Sequence, residues 1–209
     1  MRVGIVNEVS ACHRNKDIVA ALELQNDVEI FNLGMQDPAE ENPVTYIQTG
    51  IMSAILLNCD ICDMVVGGCG TGQGYLNSVM QFPNVVCGLI LEPLDAWLFS
   101  QINGGNCVSL ALNKGYGWAA DINLKYIFEK LFKDPAGQGY PPARAESQKH
   151  SGALLAKMSV QAHRPLVESL KSFDAEVIDP IRKRADFMAV LEEKAKTNEL
   201  AREVYEVLK

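Results

Sequence analysis

Apolar runs alternate with amphipathic stretches along the first two thirds of the chain. Runs rich in Val, Ile and Leu, typical of strands buried on both faces, lie at 2–6, 28–33, 63–68, 85–91 and 106–112. Helical patterns lie between and after them, at 16–25, 44–57, 73–81, 93–102 and 118–132. Alternating strands and helices indicate βαβ units. We therefore expect an α/β fold, a Rossmann-like three-layer α/β/α sandwich around a five-stranded parallel sheet.

The pattern changes after residue 132. Residues 133–150 are rich in Pro, Gly and charge, which predicts a long loop. Residues 151–209 are charged and show apolar positions at helical spacing, such as Leu154, Met158 and Ala162. We expect two parts, an α/β domain at 1–150 and a helical C-terminal extension at 151–209. The extension is predicted to be an appendage or an oligomerisation arm, without a catalytic site of its own.

Composition and charge exclude several classes of protein function. The chain has 209 residues, 48% of them hydrophobic and 22% charged, which is typical of a globular protein that needs no disulfide or metal to fold. A net charge of −7 argues against nonspecific nucleic-acid binding. A strand follows Met1 in place of a secretory signal, and no apolar run is long enough for a membrane span. We expect a cytoplasmic protein whose six cysteines are reduced.

The richest chemical signal is the loop after the third predicted strand, Gly67-Gly68-Cys69-Gly70-Thr71-Gly72-Gln73-Gly74. It holds five glycines in eight residues, whereas an ordinary strand-to-helix turn needs one or two. Such a loop lets backbone N–H groups face an anion at the carboxyl end of a parallel sheet. Its spacing matches neither the dinucleotide fingerprint nor the P-loop, so we expect no nucleotide cofactor.

Cys69 stands at the end of the strand, within the glycines and just before a helix. The positive helix end and the aligned amides favour the thiolate, which predicts a base or a nucleophile. The hydroxyl of Thr71 could donate to a developing oxyanion. Cys87 and Cys107, inside strands, are predicted to be core residues. Cys59 and Cys62 form a lone C-x-x-C, which is at best half of a zinc site.

Three runs of sequence together resemble one enzyme family. GCGTGQG, LEPLDAW and QINGGNCVSLAL follow one another as in the ribose-5-phosphate isomerase B family, which includes the galactose-6-phosphate isomerase subunits. The resemblance extends over residues 1–145. It implies metal-free aldose–ketose isomerisation of a sugar phosphate, such as ribose 5-phosphate or galactose 6-phosphate, through a cis-enediolate. It also implies a homodimer or homotetramer whose sites take residues from a neighbouring subunit.

The resemblance also implies roles for single residues. Cys69 would be the base, and Thr71 would assist proton transfer at the sugar oxygens. The amides from Gly70 to Gly74 would hold the enediolate oxygen. The implied substrate-binding residues are Glu8, Tyr46, Gly70, Gly72, Gly74, Asn103 and Arg144.

Three positions depart from the family pattern. Ile102 stands in place of the ring-opening histidine, Tyr140 in place of the first phosphate-binding arginine, and Val9 in place of a first-loop histidine. His13, Arg14 or the extension could supply replacements. Ile102 suits an open-chain substrate such as a tetrose 4-phosphate, because its O4 carries the phosphate and cannot close a ring.

Two other functions stay open at this point. One is a non-catalytic sugar-phosphate-binding or regulatory subunit that has lost part of the catalytic set. The other is a thiol enzyme that uses Cys69 as a covalent nucleophile.

Overall fold

The computed structural model describes residues 1–115 and 117–209. Five strands form one parallel sheet in the order β2-β1-β3-β5-β4. The strands are β1 (Arg2–Asn7), β2 (Glu29–Asn32), β3 (Met64–Cys69), β4 (Cys87–Ile90) and β5 (Cys107–Ala111). The predicted Rossmann-like sheet is confirmed. The chain leaves β1 in one direction to β2 and returns on its other side to β3, so a topological switch point lies between β1 and β3.

Helices cover both faces of the sheet. Side chains alternate along β1, so Val3 and Ile5 face one layer while Val6 faces the other. The first layer contains α1 (Asn15–Leu22), α4 (Pro93–Leu98) and α5 (Ala120–Phe132). The second layer begins with α2 (Tyr46–Asn58) and α3 (Gln73–Val79).

The predicted loop at 133–150 is shorter in the structure. A 3₁₀ turn forms at Pro142–Arg144, and α6 (Ala145–Ala162) follows at once. The prediction was wrong from Ala145 onward. The six residues Ala145–His150 contain no Gly or Pro and include good helix formers, while the prolines before them favour a helix start.

The predicted helical character of the C-terminal part is confirmed. After α6 come α7 (Leu166–Ser172), α8 (Ala175–Arg182), α9 (Ala185–Ala195) and α10 (Glu199–Leu208). Their apolar side chains join the second layer in one continuous cluster with α2 and β3, through Leu166, Leu170, Ile178, Ile181, Phe187, Leu191, Val204 and Leu208. The boundary at residue 150 stays a prediction.

Helix α6 differs from its neighbours because it contains no buried residue. Leu154, Leu155, Met158 and Val160 are exposed along it. None of the helices described is long and apolar enough to cross a membrane.

Candidate active site

The strand register places the ends of three strands at one edge of the sheet. Asn7 of β1 pairs with Gly68 of β3, and Cys69 pairs with Ala111 of β5. The loops that leave β1, β3 and β5 therefore meet at the carboxyl edge, next to the switch point. We describe the candidate site from these loops.

Gly67, near the start of the glycine loop, packs against a buried tyrosine. A Cβ on Gly67 would lie 2.1 Å from Cζ of Tyr75, which is fully buried. The Tyr75 hydroxyl lies 2.7 Å from Oγ of Ser53 and 3.3 Å from Sγ of Cys107. Only a glycine at position 67 lets this anchored ring lie beneath the loop.

Gly72 makes the turn from the loop into α3. Its φ of +76° is in the left-handed region, and a Cβ there would lie 2.5 Å from Cδ1 of Leu89. The hydroxyl of Ser109 donates to the carbonyl of Gly72 at 2.6 Å, and the Gly72 N–H donates to the carbonyl of Cys69 at 3.2 Å. The loop is therefore fixed to β5 on one side and closed on itself on the other.

Cys69 is the last residue of β3, one residue beyond the predicted end of that strand, so Gly67 and Gly68 lie in the strand and the loop begins after Cys69. Its carbonyl also accepts the N–H of Leu112 at 3.0 Å, which fixes the backbone at the edge. Its side chain belongs to the apolar cluster on the α2–α3 face and is 6% exposed. Within the part of the chain that the structure describes, no hydrogen bond to the Cys69 thiol is found. The thiol therefore lies in an apolar setting close to the loop amides.

Glu8 lies in the first loop, directly after β1, and is 3% exposed. Its carboxylate accepts the backbone N–H of Ser10 at 3.0 Å and also the Ser10 hydroxyl. Nδ2 of Asn113 donates to the carbonyl of Ser10 at 2.8 Å, and it would lie 3.4 Å from a Cβ on Gly70. The first loop, the glycine loop and the segment after β5 thus form one contact network.

Tyr46 is the first residue of α2, after the capping residue Thr45. The Thr45 side chain accepts the N–H of Ile47, and the Gln48 side chain accepts the N–H of Thr45, which together form a capping box. The Tyr46 ring lies over Gly74, where a Cβ would be 3.1 Å from the ring, and the residue is 43% exposed. The capping box thereby places a phenol beside the far end of the glycine loop.

Two of the predicted substrate residues lie at the opposite edge of the sheet. Asn103 ends the π-helical turn Phe99–Asn103, just before β5 begins at Cys107. Cys107 pairs with Val65, four residues before Cys69, a distance of about 13 Å along the strand. A single chain therefore does not bring Asn103 to Cys69.

Arg144 lies at that opposite edge as well. The segment before it runs along the π-helical turn, since the N–H of Gly137 donates to the carbonyl of Ser100 and the N–H of Gly139 to that of Gln101, both at 2.8 Å. Arg144 is exposed and ends the 3₁₀ turn before α6. Glu8, Tyr46 and the glycine loop are thus brought together, and Asn103 and Arg144 are not.

The remaining cysteines are buried, except Cys87, which is half-buried against the core. Cys87 and Cys107 are in β4 and β5, as predicted. Cys59 and Cys62 are buried, and burial raises the pKa of both thiols to about 12. Both stay protonated at neutral pH, which disfavours thiolate redox chemistry at this pair.

Sequence reasoning missed Ser10 and Asn113. Ser10 holds the Glu8 carboxylate, and Asn113 joins the first loop to the glycine loop. In the sequence, only their location could have indicated these two residues, since each is a polar residue shortly after a buried strand. His13 and Arg14 lie in the 3₁₀ turn Cys12–Arg14, directly after the first loop.

Comparisons with known proteins give one family. The family model described as Ribose/Galactose Isomerase matches residues 3–132. A ribose-5-phosphate isomerase from Vibrio parahaemolyticus is 39% identical, covers 100% of this chain and 99% of its own, and superposes with a TM-score of 0.93. A 4-deoxy-L-threo-5-hexosulose-uronate ketol-isomerase, solved with a tartrate, is 37% identical with the same coverage and a TM-score of 0.93.

A shorter structure shares the fold alone. The type B ribose 5-phosphate isomerase of Leishmania infantum covers 77% of this chain and 97% of its own, at 15% identity and a TM-score of 0.63. A comparison with curated protein sequences gave no significant match. The family model spans more than half of the chain, and two relatives match it from end to end at more than a third identity. The chain therefore belongs to the ribose/galactose isomerase family of sugar isomerases.

Proposed function

We propose that this enzyme interconverts the aldose and ketose forms of an open-chain anionic sugar, with Cys69 as the base. The observation that carries the proposal is the position of Cys69, at the end of β3 beside the glycine loop. The Cys69 thiolate removes the proton from C2 of the aldose, and the electron pair forms the C1–C2 double bond while O1 becomes the oxyanion. The cis-enediolate then moves its hydroxyl proton from O2 to O1, and the thiol returns its proton to C1. The product is the ketose, and no oxidant or reductant is consumed.

The oxyanion needs donors that are not used within the loop. The Gly72 N–H donates to the Cys69 carbonyl at 3.2 Å, and the Gln73 N–H donates to Oγ1 of Thr71 at 3.3 Å. We therefore assign the enediolate oxygen to the amides of Gly70, Thr71 and Gly74. In this assignment Gly72 shapes the loop around the substrate, and the exposed Thr71 hydroxyl assists the transfer between O1 and O2.

The site needs a second copy of the chain. Asn103 and Arg144 lie at the amino edge of the sheet, and the catalytic loop lies at the carboxyl edge. We propose a homodimer or homotetramer in which the Asn103 and Arg144 of one subunit complete the Cys69 site of its neighbour. Asn103 would bind a sugar hydroxyl, and the Arg144 guanidinium would bind the anionic end of the substrate.

Two substitutions favour a substrate with neither a ring nor a phosphate. Ile102 and Tyr140 replace the groups that would open a ring and complete a two-arginine phosphate clamp. The compound named for one full-length relative, 4-deoxy-L-threo-5-hexosulose-uronate, has no hydroxyl at C4 and a ketone at C5. The usual furanose and pyranose rings therefore cannot close, and its anion is a carboxylate. We therefore propose this uronate as the first candidate substrate, and a sugar phosphate such as ribose 5-phosphate or erythrose 4-phosphate as the second.

Proton NMR in D₂O tests both the reaction and the substrate. The wild type would be incubated with the uronate, ribose 5-phosphate, erythrose 4-phosphate and galactose 6-phosphate. We expect the C2 proton of the uronate to exchange as the ketose forms, and Cys69→Ala to abolish both signals. Cys62→Ala is the matched control, because Cys62 is also a buried cysteine but lies away from the loop. Full exchange in Cys69→Ala would overturn the assigned base. Binding without exchange of any sugar would favour a non-catalytic subunit.

Subunit mixing tests the shared site. Cys69→Ala and the double variant Asn103→Ala/Arg144→Ala are each expected to be inactive. Unfolding them together at equal amounts and refolding gives mixed dimers with one intact site, and we expect about a quarter of the wild-type activity. No recovery from a folded, mixed sample would show that the two halves do not act across a subunit boundary.

A further inference from the structure

The C-terminal extension contacts the segment Gly34–Thr45, which leads into α2. Arg184 lies between α8 and α9, and its side chain is only 10% exposed. Its Nη1 donates to Oε2 of Glu40 at 2.6 Å, and its Nη2 donates to the carbonyl of Gly34 at 2.7 Å. One guanidinium thus holds the segment at two points that are six residues apart.

Glu40 also accepts hydrogen bonds from the backbone of the segment. Its Oε1 accepts the backbone N–H of Gln36 at 2.6 Å and that of Asp37 at 3.0 Å. Burial raises the pKa of Glu40, but the hydrogen bonds from Arg184 and from these two amides outweigh burial and lower it. The group is therefore a carboxylate at neutral pH, with one oxygen on the arginine and the other on the turn.

Both ends of the segment contact the candidate active site. At the first end, a Cβ on Gly34 would lie 2.1 Å from the backbone nitrogen of Asn7, and the Met35 N–H donates to the Asn7 carbonyl at 2.9 Å. Asn7 is the residue before Glu8. Any movement of the segment here therefore moves the end of β1, from which the first loop departs.

At the second end, the Val44 carbonyl accepts the N–H of Val9 at 2.9 Å, one residue beyond Glu8. Thr45 then caps α2, and Tyr46 is the first helical residue. Between the two ends, Met35 and Val44 pack with the buried Cys12. The segment is therefore one packed unit that contacts the Glu8 loop and positions the ring of Tyr46.

We infer that Arg184 is a positioning residue, through which the C-terminal extension sets the position of the Glu8 loop and Tyr46 around the substrate. The inference rests on the proposed function, because it assigns substrate contact to those two residues. It gives the extension a role in binding, while the proton transfer at Cys69 stays independent of it. Loss of Arg184 is therefore expected to weaken substrate binding and to leave the chemical step almost unchanged.

The test compares Arg184→Gln with Arg182→Gln. Arg182 is a matched control, since it is in the same helical part and its guanidinium bonds the carbonyls of Leu208 and Val207, both within the extension. For Arg184→Gln we expect KM to rise about tenfold and kcat to stay within about twofold of the wild type. For Arg182→Gln we expect both constants within about twofold of the wild type. Equal KM values in the wild type and Arg184→Gln, or an equal rise in both variants, would overturn the inference.

Two further variants separate positioning from a general loss of stability. Arg184→Lys keeps the charge but only one of the two bonds, so we expect a KM between those of the wild type and Arg184→Gln. The double variant Glu40→Gln/Arg184→Gln is expected to have the same KM as Arg184→Gln alone, because each of the two changes breaks the same contact between Arg184 and Glu40. Additive rises in KM would contradict action through Glu40.

Hydrogen exchange gives a readout that does not depend on the substrate. Amides of residues 35–44 are expected to exchange at least fivefold faster in Arg184→Gln and at the wild-type rate in Arg182→Gln. If the wild type isomerises no sugar, the proposed function fails while this measurement still decides whether Arg184 holds the segment. If exchange is unchanged in Arg184→Gln, the inference fails even for an active isomerase.

Discussion

The buried tyrosine beneath the glycine loop allows a quantitative prediction. The Ser53 hydroxyl donates to the Thr49 carbonyl at 2.6 Å, so the Tyr75 hydroxyl is the donor in its 2.7 Å bond to Ser53. The Cys107 thiol then donates to the oxygen of Tyr75 at 3.3 Å. Burial raises the pKa of Tyr75 well above its usual value, so the hydroxyl keeps its proton at any working pH. Tyr75→Phe removes both bonds and keeps the ring packed beneath Gly67.

The size of the effect follows from these contacts. Removing a buried hydroxyl whose partners stay buried costs about 1–2 kcal/mol of unfolding free energy. In a chain of this length about 1.5 kcal/mol corresponds to a fall in Tm of about 3–6 °C. Because the ring still fills the space beneath Gly67, the loop keeps its shape, and kcat/KM is expected to stay within about threefold.

Urea unfolding and a double-mutant cycle provide the assay. Tyr75→Phe, Ser53→Ala and the double variant would be unfolded in urea and followed by circular dichroism. We expect the double variant to lose less free energy than the sum of the two single variants, by about 1 kcal/mol, because each single change leaves the other group without its partner. Additivity within about 0.3 kcal/mol, or a Tyr75→Phe protein as stable as the wild type, would refute the reasoning.

Three other changes test separate parts of the molecule. Gly72→Ala forces a side chain into a left-handed turn and against Leu89, so we expect a loss of about 1–3 kcal/mol and at least tenfold lower kcat, measured by unfolding and turnover. Hydrogen bonds from Arg2 and Lys194 lower the pKa of Asp60 from 3.8 to about 2, so their stabilisation is complete above pH 4 and lost as the pH falls towards 2. Asp60→Asn should remove this pH-dependent part of the unfolding free energy in an acid-unfolding measurement. The loss should be less than about 1 kcal/mol, because the ion pair between Arg2 and Asp60 is exposed to solvent. Phe187→Ala should cost about 3–5 kcal/mol in a single calorimetric transition, whereas two transitions would show that the extension unfolds by itself.

The sheet could be predicted from the sequence because its strands are buried on both faces. Runs such as Val3–Val6 and Val65–Val66 have few polar positions, and the glycine loop marks the end of β3. The start of α6 could not be predicted in the same way. The segment before it is dense in Pro and Gly, and the first residues of the helix, Ala145–His150, include no large apolar side chain.

The sequence points to the candidate site only where its residues are neighbours in one loop. Cys69 and its glycines are adjacent in sequence, so their signal is local. Asn113 could not be predicted from the sequence, because it contacts Ser10 across 103 residues and only the order of strands in the sheet brings the two together. For the same reason, Asn103 follows the glycine loop in sequence but lies at the opposite edge of the sheet.

We propose one explanation for the distance between Arg144 and Cys69 and for the exposure of α6. Arg144 ends the turn from which α6 begins, so the helix and the arginine move as one element. A helix of 18 residues with no buried side chain gains little from its own fold, since a helix in a protein is stabilised chiefly by packing an apolar face. Leu154, Leu155 and Met158 are exposed along it, and a second copy of the chain would cover them. Burying this face against a neighbouring subunit would stabilise α6 and carry Arg144 towards the neighbour's Cys69 loop, so Leu155→Asp should weaken assembly and catalysis together.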